Sequence, residues 1–272
     1  MKITSKFNEK IKYINSLKSK KFRDKEGKYI LEGIKLIDEY ISSEGISTPE
    51  FIVISKDILI NSQGGEMLYQ KIKDSNNLIE VDSTVFEYLT DTVSSQGVLI
   101  VINKKEYTLS DIVNAINNDE EIIILDKVQD PGNMGTIIRT CVSFGVENII
   151  CIKGTVDVYS SKVVRSTMGA LEKVKVYYLD QNELILLKKN FKEKKYTLVS
   201  TDLKAKKYLH EIIPNKKMVY VLGNEANGVS EEIKKMCDDI IKIKMEERQE
   251  SLNVGIAAGI LLYDLYTRGK YY

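Results

Sequence analysis

Strand-like and helix-like segments alternate throughout the second half of this 272-residue chain. Short runs rich in Ile, Val and Leu predict strands at residues 122–125, 148–152, 174–178, 196–200, 218–222 and 240–244. Apolar residues at helical spacing predict helices near residues 135–144, 162–171 and 183–192, after Ser230, and from about Leu252 onward. Strands that alternate with helices favour a mostly parallel sheet with helices on both faces. The fold class predicted from this pattern is therefore α/β.

The first hundred residues have a different pattern. Residues 28–41 carry apolar side chains at helical spacing and charged side chains on the opposite face, which predicts one helix. Short apolar runs at 51–55 and 97–103 are typical of strands, and the polar stretch 103–111 is a candidate linker. We therefore predict that a small α/β domain precedes the larger one.

The distribution of charge is more informative than its total. The chain has 43% apolar and 29% charged residues, as an ordinary globular protein does, and its net charge of +1 gives no argument for nucleic acid. Residues 1–28, however, contain ten Lys or Arg against three Asp or Glu. Such a run suits either phosphate contacts or a solvated lysine-rich surface, and the sequence leaves both open.

Cysteine and histidine content argues against several classes of site. The three cysteines are odd in number and form no CxxC pair, which is typical of reduced thiols in a cytosolic protein. The single histidine, His210, cannot support a histidine-based metal site or triad on its own. No apolar run approaches the length of about 20 residues that crosses a bilayer, and no apolar segment of a signal peptide follows the basic N-terminus. We expect a cytoplasmic protein with no membrane partner and no metal.

The segment "DPGNMGTIIRT" follows the first strand of the larger domain. Pro131 and Gly132 predict a turn, and Asn133 stands where a helix N-cap is expected. Arg139 then projects from the first turns of the helix, near the carboxyl edge of the sheet, where open α/β folds bind ligands. Taken alone, the segment is better explained as a capped helix that carries a surface arginine in a salt bridge.

Two further segments place polar residues after predicted strands. In "VYVLGNEANGVS" an apolar strand ends at Gly223, where a ligand could approach the backbone, and Glu225 follows before a candidate N-cap at Ser230. The glycine spacing fits neither the dinucleotide fingerprint nor the P-loop. In "IKIKMEERQESLNVGIAAGILLYDLY" Ser251 and Asn253 precede a helix rich in small residues, either as caps or as site residues.

In this order and spacing, "DPGNMGTIIRTCVSFG", "LGNEANGVS" and "ESLNVGIAAGILLYDL" resemble the motifs of the SpoU (TrmH-like) family of RNA ribose 2′-O-methyltransferases, within the SPOUT superfamily. "YILEGIKLIDEY" and "LTDTVSSQGVLIVI" are similar to the small substrate-binding domain of that family. The resemblance implies an RNA-binding, ribosomal-protein-like α/β/α domain over residues 1–105. It implies an α/β-knot methyltransferase domain over residues 106–272, with a parallel sheet and a deep trefoil knot near the carboxyl end. S-adenosylmethionine as the cofactor and a homodimer are also implied.

The resemblance further implies a role for each site residue. Arg139 is the implied proton acceptor for the ribose 2′-hydroxyl, and Asn133 positions the ribose or a phosphate. Because arginine is permanently charged, the alternatives are that Arg139 stabilises the developing alkoxide or binds the neighbouring phosphate. Glu225, Ser251 and Asn253 complete the catalytic polar site. The implied cofactor-binding residues, which act largely through their backbone, are Thr201, Leu222, Gly223, Ile243, Met245 and Leu252.

The third motif departs from the family pattern at two positions. Lys244 stands where a proline is usual, and Glu247 stands where a glycine is usual. The leading expectation is methylation of a ribose 2′-hydroxyl in RNA, with 23S ribosomal RNA as the first choice and transfer RNA as the alternative. A second alternative, favoured by these two departures, is an RNA-binding or ribosome-assembly protein with weak catalysis. The chain lacks both the dinucleotide fingerprint and the P-loop, which argues against a nucleotide-dependent dehydrogenase or kinase.

Overall fold

A computed structural model describes residues 2–43, 47–92, 94–212, 217–246 and 251–271. The chain divides into two compact units. The first comprises Met1–Lys104 and Asp157–Gly169, and the second comprises Lys105–Val156 and Ala170–Tyr272. Residues 157–169 thus belong to the first unit although they lie in the second half of the chain.

The helices and strands are numbered in chain order. The helices are α1 (Glu9–Ser16), α2 (Lys20–Glu26), α3 (Ile34–Ser42), α4 (Lys56–Asn61), α5 (Gly65–Ile72), α6 (Ser83–Leu89), α7 (Leu109–Asn117), α8 (Pro131–Ser143), α9 (Ser161–Thr167), α10 (Gln181–Glu193), α11 (Glu231–Lys234) and α12 (Val254–Tyr271). The strands are β1 (Lys28–Glu32), β2 (Phe51–Ile54), β3 (Leu78–Glu80), β4 (Val98–Asn103), β5 (Ile122–Asp126), β6 (Asn148–Ile152), β7 (Lys175–Leu179), β8 (Thr197–Thr201), β9 (Lys207–Tyr208), β10 (Met218–Gly223) and β11 (Asp239–Lys242).

The first unit is built on a four-stranded sheet in the order β1-β4-β2-β3. Strand β4 is antiparallel to both of its neighbours, and β3 is parallel to β2. The helices α1 and α6 contact each other. They bury Ile11, Ile14 and Phe86 in a core with Val53 and Leu99 of the sheet.

The single helix predicted over residues 28–41 was wrong at its amino end, where the chain forms β1. Tyr29 and Leu31 are buried, whereas their neighbours are half-exposed, and the strand pairs with β4 from Lys28 opposite Asn103 onward. Gly33 follows at φ 114°, a conformation that favours glycine, and α3 begins directly after it. The apolar residues of this stretch fit the period of a helix as well as that of a strand, and pairing with β4 favours the strand.

The second unit confirms the predicted parallel sheet. Its seven strands lie in the order β7-β6-β5-β10-β8-β11-β9, and every neighbouring pair is parallel. The helix α7 contacts α10, and α8 packs on α12. The strand β9 and the helix α7 were not predicted. A capping box of Thr108 and Asp111 marks the start of α7, and it is a sequence signal that could have located this helix.

The position of β10 between β5 and β8 brings four strand ends together. Gly223 is paired with Asp126 at the end of β5, and Val221 is paired with Ser200 on β8. On the other side of β8, Thr201 is paired with β11. The carboxyl ends of β5, β10, β8 and β11 therefore form one continuous edge, and the segments singled out from the sequence follow three of these strands.

A buried ion pair joins the segment 157–169 to the rest of the first unit. Arg23 Nη2 lies 2.6 Å from Asp157 Oδ2, and the two side chains are 5% and 11% exposed. Arg23 Nη1 also donates to the carbonyl oxygens of Leu17, at 2.9 Å, and Lys18, at 2.6 Å. The arginine thus connects the end of α1 and the loop after it to the segment that precedes α9.

Candidate active site

The helix α8 begins with a side-chain cap. Asp130 is the N-cap, because its Oδ1 accepts a hydrogen bond from the backbone N–H of Asn133 at 2.8 Å, and Pro131 takes the first helical position. The prediction of Asn133 as the N-cap was wrong. Proline has no N–H and a φ suited to the first helical position, so the helix starts at Pro131 and the residue before it becomes the cap. Asn133 lies in the first turn, and its side chain contacts residues outside its own helix.

Glu225, in the loop after β10, binds the loop after β5. Its Oε2 accepts the N–H of Gln129 at 3.2 Å, and its Oε1 accepts the N–H of Asp130 at 3.1 Å and Nδ2 of Asn133 at 3.0 Å. Burial alone would raise the pKa of Glu225, but the hydrogen bonds from Asn133 and from the backbone outweigh it and hold that pKa below its ordinary value. The carboxylate of Glu225 therefore connects the loop after β10 to the loop after β5 and to the first turn of α8.

Asn253 connects the third segment to the first. Its Oδ1 caps α12 by accepting the N–H groups of Gly255, at 2.9 Å, and Ile256, at 3.3 Å. Its Nδ2 donates to Oδ1 of Asn133 at 2.8 Å. Glu225, Asn133 and Asn253 thus form one chain of hydrogen bonds, although Asn133 lies 92 residues from Glu225 and 120 residues from Asn253 in sequence. Of the two alternatives that the sequence left for Asn253, the structure shows the cap of α12, and a catalytic role for Asn253 stays a prediction.

Arg139 lies about 9 Å further along the axis of α8 than Asn133. Its side chain is exposed. Within the described part of the chain, its guanidinium group has no hydrogen-bond or ion-pair partner. The structure therefore does not bring Arg139 into contact with the hydrogen-bonded chain of Glu225, Asn133 and Asn253, and it leaves the guanidinium group accessible to a substrate. Ser251 is also exposed and lies two residues before Asn253.

Four of the six positions implied for cofactor binding lie at the ends of strands on this edge or directly after them. Thr201 ends β8, and its hydroxyl donates to the carbonyl of Val221 at 3.2 Å. Leu222 and Gly223 end β10, and Ile243 follows β11 directly. The remaining two positions, Met245 and Leu252, lie on either side of residues 247–250. Lys244 is exposed, and Glu247 lies outside the described residues.

The loop after β10 requires the glycine at its start. Asn224 and Gly228 form an antiparallel bridge, so the loop folds back onto the strand end. A Cβ at Gly223 would lie 2.0 Å from the carbonyl carbon of Gly228 and 2.1 Å from the nitrogen of Val229, distances that real side chains do not show. The near neighbour of Gly223 is thus the backbone of its own loop, and contact with a cofactor stays a prediction for this residue.

Two features of the edge fit S-adenosylmethionine. Among the described residues, the backbone groups of Met245 and Leu252 have no hydrogen-bond partner, so they are available to the polar edge of an adenine. The hydroxyl of Ser200, at the end of β8, is buried and has no partner in the described part of the structure. No group of three or more His, Cys, Asp or Glu that could hold a metal ion occurs among the residues that the structure describes.

Two residues that support this site were not singled out from the sequence. Asp126 is buried at the end of β5, and its Oδ2 accepts the N–H of Ser230 at 2.7 Å. Asn224 Nδ2 donates to the carbonyl of Lys127 at 2.9 Å, and its Oδ1 accepts the N–H of Ala226 at 3.0 Å. Both hold the loops after β5 and β10 in place. Their signal in the sequence is an acid or amide directly after an apolar strand.

We expect Glu225→Gln to lower the free energy of unfolding at neutral pH by on the order of 1 kcal/mol. The change replaces one carboxylate oxygen, which accepts hydrogen bonds, by an amide NH2 group, which can only donate them. The folded state lowers the pKa of Glu225 from its ordinary value of 4.5, so its stabilising contribution is complete above that pH. The contribution is lost as the pH falls through the folded-state pKa. Urea unfolding of both proteins over a pH series should therefore show a difference that shrinks in acid.

Glu232→Gln is the matched control, because Glu232 is exposed and has no described partner. This variant should have nearly the stability of the wild type at neutral pH, because the Glu232 side chain has no described interaction to lose. A difference for Glu225→Gln that stays constant down to acid pH would contradict the assigned role of the carboxylate.

The strand order places three polar segments, hydrogen-bonded to one another, at the carboxyl edge of a parallel sheet, in an α/β domain that follows a smaller α/β domain. The model of the SpoU rRNA Methylase family matches residues 120–263, and the model of the MRM3-like substrate binding domain matches residues 8–100. The chain belongs to the SpoU rRNA methylase family.

Individual relatives agree with the family match. The 23S rRNA (guanosine(2553)-2′-O)-methyltransferase RlmP of Bacillus subtilis is 27% identical over 97% of this chain and 98% of its own. The 23S rRNA (guanosine-2′-O-)-methyltransferase RlmB of Bordetella pertussis is 30% identical over 62% of this chain and 69% of its own. The crystal structure of an AdoMet-bound rRNA methyltransferase from Sinorhizobium meliloti has 27% identity and a TM-score of 0.80, over 100% of this chain and 99% of that one.

The resemblance and the fold class inferred from the sequence are therefore confirmed. The fold is an α/β-knot methyltransferase domain with a parallel sheet, preceded by a smaller α/β domain. In the part of the chain that the structure describes, no helix is long and apolar enough to cross a membrane.

Proposed function

We propose that this protein transfers a methyl group from S-adenosylmethionine to a ribose 2′-hydroxyl of RNA, with 23S ribosomal RNA as the substrate. The observation that carries the proposal is the hydrogen-bonded chain of Glu225, Asn133 and Asn253. It joins all three motif segments beside the carboxyl edge of the sheet. The similarity to RlmP and RlmB, which are 23S rRNA methyltransferases, supports the choice of 23S ribosomal RNA over transfer RNA.

The same proposal assigns a separate role to each of the two parts of the chain. Residues 1–105 bind the RNA, and residues 106–272 carry the methyl transfer. The match of the substrate-binding domain to residues 8–100 supports the first assignment. We place the protein in the cytoplasm, in agreement with Cys141, Cys151 and Cys237, which are free thiols.

The bound cofactor supplies an electrophilic methyl group on a sulfonium, and the chain must activate a hydroxyl that is a poor nucleophile. We assign this task to Arg139, whose guanidinium group is accessible. Its permanent charge favours stabilisation of the developing alkoxide over acceptance of the proton. Asn133 is held from both sides, by Glu225 and Asn253, and it orients the ribose. We assign Ser251, which lies two residues before Asn253, to the same polar site.

The backbone of Met245 and Leu252 would hold the adenine of the cofactor, because these groups have no described partner. Thr201, Leu222, Gly223 and Ile243 would form the rest of the cofactor site at the ends of the adjacent strands β8, β10 and β11. Titration of the purified protein with S-adenosylmethionine in a calorimeter tests this assignment. An RNA-binding protein without turnover, which is the competing reading, would show no binding of the cofactor.

The decisive test of the activity is a map of ribose methylation. Purified protein should add a 2′-O-methyl group to 23S ribosomal RNA from a strain that lacks the gene, and the same nucleotide should be unmethylated in that strain. Transfer RNA from the strain serves as the second substrate. Identical methylation maps of 23S ribosomal RNA in the two strains would contradict the proposed substrate.

We also propose that the chain forms a homodimer through α12. Ile256, Ile260 and Tyr263 recur at helical spacing and are 55%, 37% and 58% exposed, which is unusual for a set of large apolar side chains on one helix face. A second copy of the same helix offers a complementary apolar surface. The double change Ile256→Asp and Ile260→Asp should therefore convert a dimer into a monomer in sedimentation velocity. A wild-type monomer at concentrations of tens of micromolar would contradict the proposal.

A further inference from the structure

The basic run at the amino end divides into cations that form salt bridges and cations that do not. Lys6, Lys10, Lys12 and Lys21 form none with a described residue. The other six, each with a carboxylate oxygen within salt-bridge distance, are Lys2, Lys18, Lys20, Arg23, Lys25 and Lys28. Most of the local excess of positive charge is therefore neutralised, and what remains is concentrated around α1.

Two of the unpaired lysines lie next to exposed aromatic rings. Phe7, in the turn before α1, is 80% exposed, and Nζ of Lys12 lies 5.6 Å from the centre of its ring. Tyr88, on α6, is 37% exposed, and Nζ of Lys6 lies 5.5 Å from the centre of its ring. The amide of Asn15 donates to the hydroxyl of Tyr88 at 3.0 Å, so α1 and α6 present these groups side by side. We name Lys6, Phe7, Lys12 and Tyr88 the basic-aromatic surface.

This composition fits an unpaired nucleic-acid segment. An exposed phenylalanine offers a flat face on which a base stacks, and unneutralised lysines beside it attract the phosphates that flank the base. A duplex does not offer such a face, because its bases are stacked on one another. An apolar protein partner would leave the two ammonium groups without a counter-charge.

We propose that the basic-aromatic surface binds an unpaired segment of the RNA substrate, with Phe7 stacked on a base and Lys6 and Lys12 on the flanking phosphates. The inference rests on the proposed function for the nature of the substrate. It assigns a contact surface on the first unit, remote in sequence from the three motif segments.

The test uses the full-length protein and a labelled single-stranded oligouridylate of about 12 nucleotides, with binding followed by fluorescence anisotropy. Phe7→Ala should weaken binding by about tenfold, because one stacked base is lost. Phe7→Trp should bind at least as tightly as the wild type, whereas Phe7→Leu should resemble Phe7→Ala. Because Phe7 is exposed, thermal unfolding of these variants should match the wild type.

Lys12→Ala and Lys10→Ala provide a matched pair of charge changes. Successive residues of a helix are rotated by about 100°, so these two lysines point about 200° apart around α1. Lys10 lies instead over Phe51, with Nζ 5.7 Å from the ring centre. Lys12→Ala should lower the slope of log Kd against log salt concentration by about 0.7, the value for one phosphate contact with a single strand. Lys10→Ala should leave the slope unchanged.

The outcomes separate this inference from the proposed function. Wild-type affinity in Phe7→Ala and Lys12→Ala, in a protein that binds S-adenosylmethionine and methylates RNA, overturns the surface and leaves the function standing. A wild-type protein that binds neither the oligouridylate nor S-adenosylmethionine overturns both. If Phe7→Ala and Lys12→Ala bind RNA as the wild type does but lose binding to anionic lipid vesicles, the surface contacts a membrane and the inference is overturned.

Discussion

Replacing Arg139 by alanine is expected to slow methyl transfer by about 100- to 1000-fold, the usual effect of removing a group that stabilises developing charge. The protein should fold and bind S-adenosylmethionine as before, because the side chain is exposed and has no described partner to lose. Single-turnover methylation of 23S ribosomal RNA measures the rate of transfer. Calorimetric titration with the cofactor measures binding separately.

Arg139→Lys distinguishes the possible roles of the guanidinium group. Lysine keeps the charge but not the planar pair of donors, so a partly retained rate indicates that charge stabilises the alkoxide. A rate as low as that of alanine indicates that the paired donors are required. If Arg139→Ala methylates RNA at the wild-type rate, Arg139 has no role in the reaction.

Much of the second unit could be predicted because its strands are fully buried. Residues 149–152 and 218–222 form continuous apolar runs, and such runs are typical of strands in parallel sheets that are covered on both faces. The sheet then explains why Asn133, Glu225 and Asn253 meet, because their segments adjoin neighbouring strand ends or the helix beside them. The order of the hydrogen bonds, with Asn133 in the middle, depends on side-chain geometry that spacing does not determine.

Three features could not be read from periodicity, each for a physical reason. Residues 28–32 fit a helix or a strand, and only the pairing with β4 decides between them. Asp130 and Asn133 are both good caps, and the choice depends on where Pro131 starts the helix. The placement of residues 157–169 in the first unit rests on contacts between residues that are far apart in sequence, such as Arg23 and Asp157.

Replacing Arg23 by alanine is expected to lower the free energy of unfolding of the first unit by about 3–5 kcal/mol, because the carboxylate of Asp157 is left buried without its partner. The change also removes the donors to the carbonyl oxygens of Leu17 and Lys18. Urea unfolding measures the loss. Hydrogen exchange followed by mass spectrometry should locate it, with faster exchange in residues 157–169 than in the sheet of the second unit.

Lys20→Ala is the matched control, because its salt bridge to Asp24 joins side chains that are 64% and 44% exposed. Loss of this exposed pair should cost less than about 1 kcal/mol and leave exchange in residues 157–169 unchanged. The double variant Arg23→Ala and Asp157→Ala should lose less stability than the two single variants together, since each single change leaves an unpaired buried group. Additive losses, or an Arg23→Ala protein as stable as Lys20→Ala, would show that the buried ion pair does not hold this segment in the first unit.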